Sequence, residues 1–210
     1  MPRPPKPLLS RRGIATEALA LVDEEGIEAL TTRRLAKRLG VEGPSLYNHV
    51  KGRDDLLDEM TSLIDEQVDT ALLEHPDWRV GLAEFARSYR RAFAAHPHIV
   101  ATVSARPVNT HTALHAYDRA FEAFARFGWD GHTASVVMAA VDFLVLGSAI
   151  ETFKGGFDRP AAAYEPDYPH LARALRAAGE DDIDDLGFEL GLAALVAWLE
   201  AKVEAGTTSR

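Results

Sequence analysis

The sequence predicts an all-α protein, with a small three-helix N-terminal head and a larger helical body. Three observations predict it. Apolar residues recur at steps of three and four through almost every long segment. No run shows the alternation of a half-buried strand. Each periodic segment opens on Ser, Thr, Asp or Pro and closes at Gly or before Pro, as helix ends do. The 210 residues, 47% hydrophobic and 26% charged, are those of a soluble globular chain with a sizeable core.

Residues 1–9 hold Pro2, Pro4, Pro5 and Pro7 with Arg3 and Lys6. They read as a disordered arm, or as a basic arm touching DNA. Ser10 caps a helix to about Glu25 whose stripe is Ile14, Ala18, Leu21 and Val22; Gly26 stops it. Thr31 or Thr32 caps the next helix, with Leu35, Ala36 and Leu39 inward. Gly40 ends it, because a residue without Cβ turns left-handed cheaply. Pro44 takes the first position of a third helix over residues 44–50. Leu46 and Val50 face its core, and Ser45, Tyr47, Asn48 and His49 face out.

Two short helices around a tight turn, with Arg33, Arg34, Lys37, Arg38, Lys51 and Arg53 about them, have the shape of a helix-turn-helix. A solvated hairpin with ordinary surface charge is the plainer alternative. Charge decides between them. Residues 1–53 hold 10 Lys and Arg against 6 Asp and Glu, net +4, and the remainder holds 13 against 26, net −13. A basic head on an acidic body implies that the head alone meets a polyanion. The division falls at residues 1–53 and 54–210.

A helix from Asp54 to about Leu73, with Leu56, Leu57, Met60, Leu63, Ile64 and Val68 inward, leads from head to body. Asp77 caps Trp78 to about Ala95, with Leu82, Phe85, Ala86, Tyr89 and Phe93 inward. Pro97 and Pro107 bracket a short helix. Thr110 or Asn109 opens a helix carrying Leu114, Tyr117, Phe121, Phe124 and Phe127, and Gly128 ends it. Asp130 opens the most apolar helix, to about Phe153. A loop spans Lys154 to Tyr168, a short helix Pro169 to Ala178, and a last helix Asp182 to about Ala205.

The apolar window from Ala134 to Ile150 is broken by Asp142 and short for a membrane span, so it reads as a buried helix. No secretory signal opens the chain. With no Cys there is no disulfide, thiolate or Cys-bound zinc, which fits the cytoplasm. His111 and His115 lie one turn apart, and His96 and His98 flank Pro97, yet no third ligand has the right spacing. No metal site is expected, and these histidines read as solvent or pocket residues. The aromatic residues Phe85, Tyr89 and Phe93 read first as core and second as cavity wall. Ile64 and Met138 share that expectation. Polar residues set among apolar ones are stronger candidates to meet a ligand: Arg106, Asn109, His111, His115, Asp142 and Glu151.

The stretch LTTRRLAKRLGVEGPSLYNHVKGRDDLLDEM (Leu30–Met60) closely resembles the TetR-type transcriptional repressors. The block HPHIVATVSARPVNTHTALHAYDRAFEAFARFGWD resembles the ligand-binding domain of the tetracycline-repressor branch. The resemblance implies a repressor that binds a palindromic operator as a homodimer and is released by a small-molecule effector. It implies phosphate contacts for Thr32, Ser45, Tyr47, Lys51 and Arg53, and base-edge positions for Arg33, Gly43, Pro44, Asn48 and His49. Gly43 replaces a longer side chain of the tetracycline repressors, so the operator differs. The helix after Arg53 looks like the carrier of the ligand signal. The helices Thr133–Phe153 and Leu186–Val203 would pair across a two-fold axis, and Glu151 matches an acidic pocket residue. Two histidines of the tetracycline repressors correspond to Thr102 and Asp69, which argues against a tetracycline–magnesium effector; no cofactor is expected. A helical protein-interaction adaptor is the alternative, and an enzyme using the body cavity a weaker one.

Overall fold

A computed structural model describes residues 9–150, 156–179 and 181–207. Residues 1–8 of the expected arm, Glu151 and Phe153 lie outside them, while Leu9 is half-buried against the core. Ten α-helices and no strand occur among the described residues. The head comprises α1 (Arg11–Glu25), α2 (Thr32–Leu39) and α3 (Gly43–Leu46). Ser10 Oγ accepts the Gly13 N–H, and Thr31 Oγ1 the Arg34 N–H, so both caps lie where local chemistry places them. Gly40 has φ 66°, the left-handed conformation that lets the chain leave α2 towards α3. Ile14, Ala18 and Val22 of α1 meet Leu35, Ala36, Leu46 and Val50 in one core.

From the head, α4 (Arg53–Asp65) runs against α1 and into the body, and its Leu56, Leu57, Met60 and Ile64 join both cores. It ends about eight residues earlier than the apolar pattern predicts. Its last turn carries no cation, and Asp65 and Glu66 sit at the negative end of the helix dipole. A buried hydroxyl far along the chain completes the stop: Asp69 N–H donates to Ser88 Oγ (3.0 Å). Asp69 Oδ1 then accepts the Ala71 N–H and opens a 3-10 turn, Thr70–Glu74. The connector is therefore thirteen residues long and not one stiff rod to Leu73.

The body is built on α5 (Trp78–Ala94), whose Leu82, Phe85, Ala86, Tyr89 and Phe93 are buried. Around it lie α6 (Pro97–Ser104), α7 (His111–Arg126), α8 (Gly131–Ala149), α9 (Pro169–Ala178) and α10 (Ile183–Thr207). Asp77, Thr110 and Asp130 cap α5, α7 and α8 by accepting backbone N–H groups. On α7 the inward face is Ala113, Ala120, Ala123 and Phe124, while Leu114 and Phe121 are exposed. The alanines let α7 lie close to its neighbours, so of the expected stripe Phe124 is buried, Tyr117 and Phe127 are half-buried, and only Leu114 and Phe121 are left outside.

Two helices keep large apolar side chains outside. By length and composition α8 could cross a membrane, yet only a third of its apolar window is buried. Val137, Val141 and Val145 face the core, while Val136 and Phe143 (77% exposed) face out. The expectation of a wholly buried helix is thus corrected. On α10, Phe188, Leu192 and Leu199 are buried, while Leu186, Leu190 (73% exposed) and Trp198 face out. Where the two helices meet, Gly191 leaves room for the Leu144 side chain, which a Cβ there would push aside. Arg87–Glu189 (2.6 Å) and Arg90–Asp185 (2.7 Å) fix α10 to α5.

Candidate functional site

The outward surface of the head gathers the residues expected to meet DNA. Regular helix covers only Gly43–Leu46, with Glu42 at the cap and Pro44 second, not first. A turn follows, in which His49 N–H and Val50 N–H both return to Leu46 O (2.9 and 3.0 Å). That helical hydrogen bond keeps Leu46 and Val50 inward and leaves Pro44, Tyr47 and Asn48 exposed. Gly43, Ser45 and His49 are half-buried. Tyr47 Oη lies 3.2 Å from Thr32 Oγ1, so the start of α2 and the end of α3 form one surface.

Cations on the head sort into two groups. Arg34 pairs with Glu25, and Arg38 with Glu17 and Glu24, all towards α1. Arg11 is bound by Asp55 and Glu59, and Arg12 by Glu66. Arg33 and Lys51 are exposed and have no carboxylate partner among the described residues. Arg53 is exposed but commits one N–H to Leu30 O (2.8 Å). Lys37 of α2 is likewise exposed and in no ion pair among the described residues, and a phosphate could take these charges without breaking one.

The body encloses a cavity of about 520 Å³ between α4, α5, α6, α7 and α8. Its wall is aromatic at Tyr89, Phe93, Tyr117 and Phe143, and polar at Asp58, Thr61, Asp65, Arg106, Asn109 and Asp142. Arg106 donates to Asp54 Oδ1 (2.6 Å) and Asp58 Oδ1 (2.7 Å), so a cavity wall is bonded to the first turns of α4. Tyr117 Oη donates to Asp142 Oδ2 (2.9 Å). Asp142 Oδ1 and Asp65 Oδ2 are buried with no hydrogen-bond partner among the described residues. Burial pushes the Asp65 carboxyl up to about 7. Burial also raises Asp142, against hydrogen bonds from Tyr117 and Tyr89. The Tyr89 and Tyr117 phenols rise through burial first and through the neighbouring Asp142 charge second.

Of the residues expected to meet a ligand, Tyr89, Phe93, Arg106, Asn109 and Asp142 line this cavity. Phe85 and Met138 line a small void of about 30 Å³ beside Asp65, Tyr89 and Tyr117. Ile64 is core and reaches neither. His111 and His115 stack on each other at 6.2 Å on the exposed side of α7, outside the cavity. His96 and His98 are neither free solvent residues nor pocket residues. His96 Nδ1 lies 2.8 Å from Asp23 Oδ2, and His98 Nδ1 lies 3.1 Å from Val22 O, so they dock α6 on the end of α1. Asp58, Thr61 and Asp65 were not anticipated. Their steps of three and four place them on one side of α4, beside the apolar Met60–Ile64 stripe, and that spacing is the signal that could have found them.

Residues 14–60 match the family described as bacterial regulatory proteins, tetR family. Residues 71–203 match the tetracyclin repressor-like C-terminal domain. An HTH-type transcriptional regulator of Saccharopolyspora erythraea is 32% identical over 186 residues, covering 84% of this chain and 79% of its own length. The class D tetracycline repressor of Escherichia coli is 32% identical over 211 residues, covering 94% and 92%. The TetR family protein ActR of Streptomyces coelicolor, solved with actinorhodin, superposes with a TM-score of 0.75 at 27% identity, covering 93% of this chain and 97% of that one. Head and body find counterparts in the same group of proteins, and the chain belongs to the TetR family of bacterial regulatory proteins.

Proposed function

We propose that this transcriptional regulator is a repressor that binds a palindromic operator as a homodimer and leaves it when a small molecule fills the body cavity. The observation that carries the reading is the bonded path from cavity to head. Arg106 belongs to the cavity wall and holds Asp54 and Asp58 of α4. One step on, Asp55 accepts the Lys51 N–H (2.7 Å) and pairs with Arg11, which also reaches His49 O. The second route is α6, which lines the cavity at Val103 and Ser104 and docks on α1 through His96 and His98.

In this reading Thr32, Ser45, Tyr47, Lys51 and Arg53 touch phosphates, and Arg33, Gly43, Pro44, Asn48 and His49 lie at base edges. Two heads read successive major grooves when about 34–36 Å apart. A ligand changes that spacing only by binding the other spacing better. The copies pair through the exposed apolar faces of α8 and α10, and the protein acts in the cytoplasm, where its operator is. The drugs named for the relatives belong to those proteins. The reading takes the effector to be other than a tetracycline–magnesium chelate, because the resemblance sets Thr102, and approximately Asp69, at the family's histidine positions.

The test is operator binding by the purified protein on the duplex upstream of its own reading frame, titrated with salt. Affinity should fall steeply with salt and exceed that for random duplex by at least about a thousandfold. Equal affinity for both duplexes would sink the reading.

A further inference from the structure

Resting on the reading of the body cavity as the effector site, we propose that its effector is a cation: a protonated amine on an apolar, aromatic body, held at Asp65 and Asp142. Three carboxylates line this cavity, and Arg106 is the one Lys, Arg or His among its described lining residues. Arg106 is already spent on Asp54 and Asp58, so it neutralises Asp58 and has no charge left for an anionic ligand. Asp65 and Asp142 have no such partner. The Asp65 side chain accepts no hydrogen bond among the described residues, and Asp142 keeps one buried oxygen without a donor. Such oxygens cost free energy that a donor restores. An ammonium group brings three donors together with the charge that two desolvated carboxylates need. The remaining wall suits the rest of such a molecule, because Tyr89, Phe93, Tyr117 and Phe143 offer ring faces to a cation and apolar area to its body.

Proton linkage gives the inference a second handle. The groups that face Asp65 are Asp58 on its own helix, Tyr89 of α5, Arg106 after α6, Tyr117 of α7 and Asp142 of α8. No histidine lines the cavity, so the carboxyl raised to about 7 is Asp65. A cation binds its ionised form and displaces the proton.

The test uses the full-length protein and three probes on one naphthalene body: naphthylethylamine, naphthylethanol and naphthylacetate. Calorimetry at about pH 8 should find the amine at least about tenfold tighter than the alcohol, with the carboxylate weakest. Amine affinity should rise about tenfold from about pH 6 to about pH 8 with proton release, while the alcohol stays flat. Asp65→Asn and Asp142→Asn should each remove most of the amine's advantage over the alcohol. Both replace a buried charge by a neutral isostere, so the fold is kept, and a thermal melt checks it. Equal affinity for amine and alcohol, failure of the amine to bind, or an amine preference that survives both substitutions overturns the cation assignment. Operator release is scored separately with the same probes. If the neutral alcohol binds and releases operator as well as the amine does, the effector-site reading stands and only the charge assignment falls.

Discussion

Asp65 shows how one side chain can be costly to the fold and useful to the site. Its carboxyl is raised from 3.8 to about 7 by burial alone. The folded protein therefore holds this proton more tightly than the unfolded chain does. Stability falls as pH rises through the interval from about 4 to about 7 and is flat beyond it. Asp65→Asn should thus stabilise the fold at about pH 8, by up to about 4 kcal/mol, with a higher melting temperature, and lose that advantage near about pH 4. A thermal melt at the two pH values checks it. Arg33 and Tyr47 bear on function instead. Arg33 has no internal partner, and the Tyr47 hydroxyl shares a hydrogen bond with Thr32. Arg33→Ala should weaken operator binding by about 1–3 kcal/mol, and Tyr47→Phe by about 1 kcal/mol, with melting unchanged. Unaltered gel-shift affinity in the folded double variant would remove the groove assignment.

Among the elements, α4 and α6 are the two that the proposed mechanism asks to carry the coupling, and neither needs to be long. The thirteen residues of α4 are bonded at their start to Arg106 and flanked at their end by cavity residues Thr61 and Asp65. Arg106→Ala would cut the tie to Asp54 and Asp58. Those partners are exposed and half-buried, so the cost in stability should stay below about 1 kcal/mol. The freed Asp58 carboxylate should leave a cation bound at least as tightly, but a bound ligand should no longer release operator. Measuring ligand affinity and operator release on the same variant separates the two effects; an intact release would show that α6 alone carries the signal. The caps at Ser10, Thr31, Asp77, Thr110 and Asp130 were legible because cap and helix are neighbours in the chain. The end of α4 was not, because Ser88, nineteen residues from Asp69, helps to set it.

At the scale of the whole molecule, the proposed dimer rests on the exposed apolar side chains of α8 and α10. Phe143 also lines the cavity, so the proposed dimer face and the proposed effector site share a residue. Leu190 touches only the outer face and is 73% exposed. Leu190→Asp should leave the monomer folded and shift sedimentation towards monomer. Operator affinity should drop by at least about a hundredfold, since one short reading helix gives little affinity alone. A dimer that persists in the variant would move the interface elsewhere.

The sequence by itself determined what is local: the helices and most of their ends, the left-handed Gly40, the outward row at Tyr47 and Asn48, and a basic head on an acidic body. Each follows from residues within a few positions of one another. Tertiary structure alone decided which polar groups converge. Asp58, Thr61 and Asp65 of α4 meet Tyr117 of α7, Asp142 of α8 and Arg106 of the loop after α6, while His111 and His115, as polar and as regularly spaced, turn to solvent. Periodicity gives the direction of a side chain relative to its own helix. The neighbour it faces depends on how helices stack, as at the alanine face of α7 and at Gly191, which leaves room for Leu144.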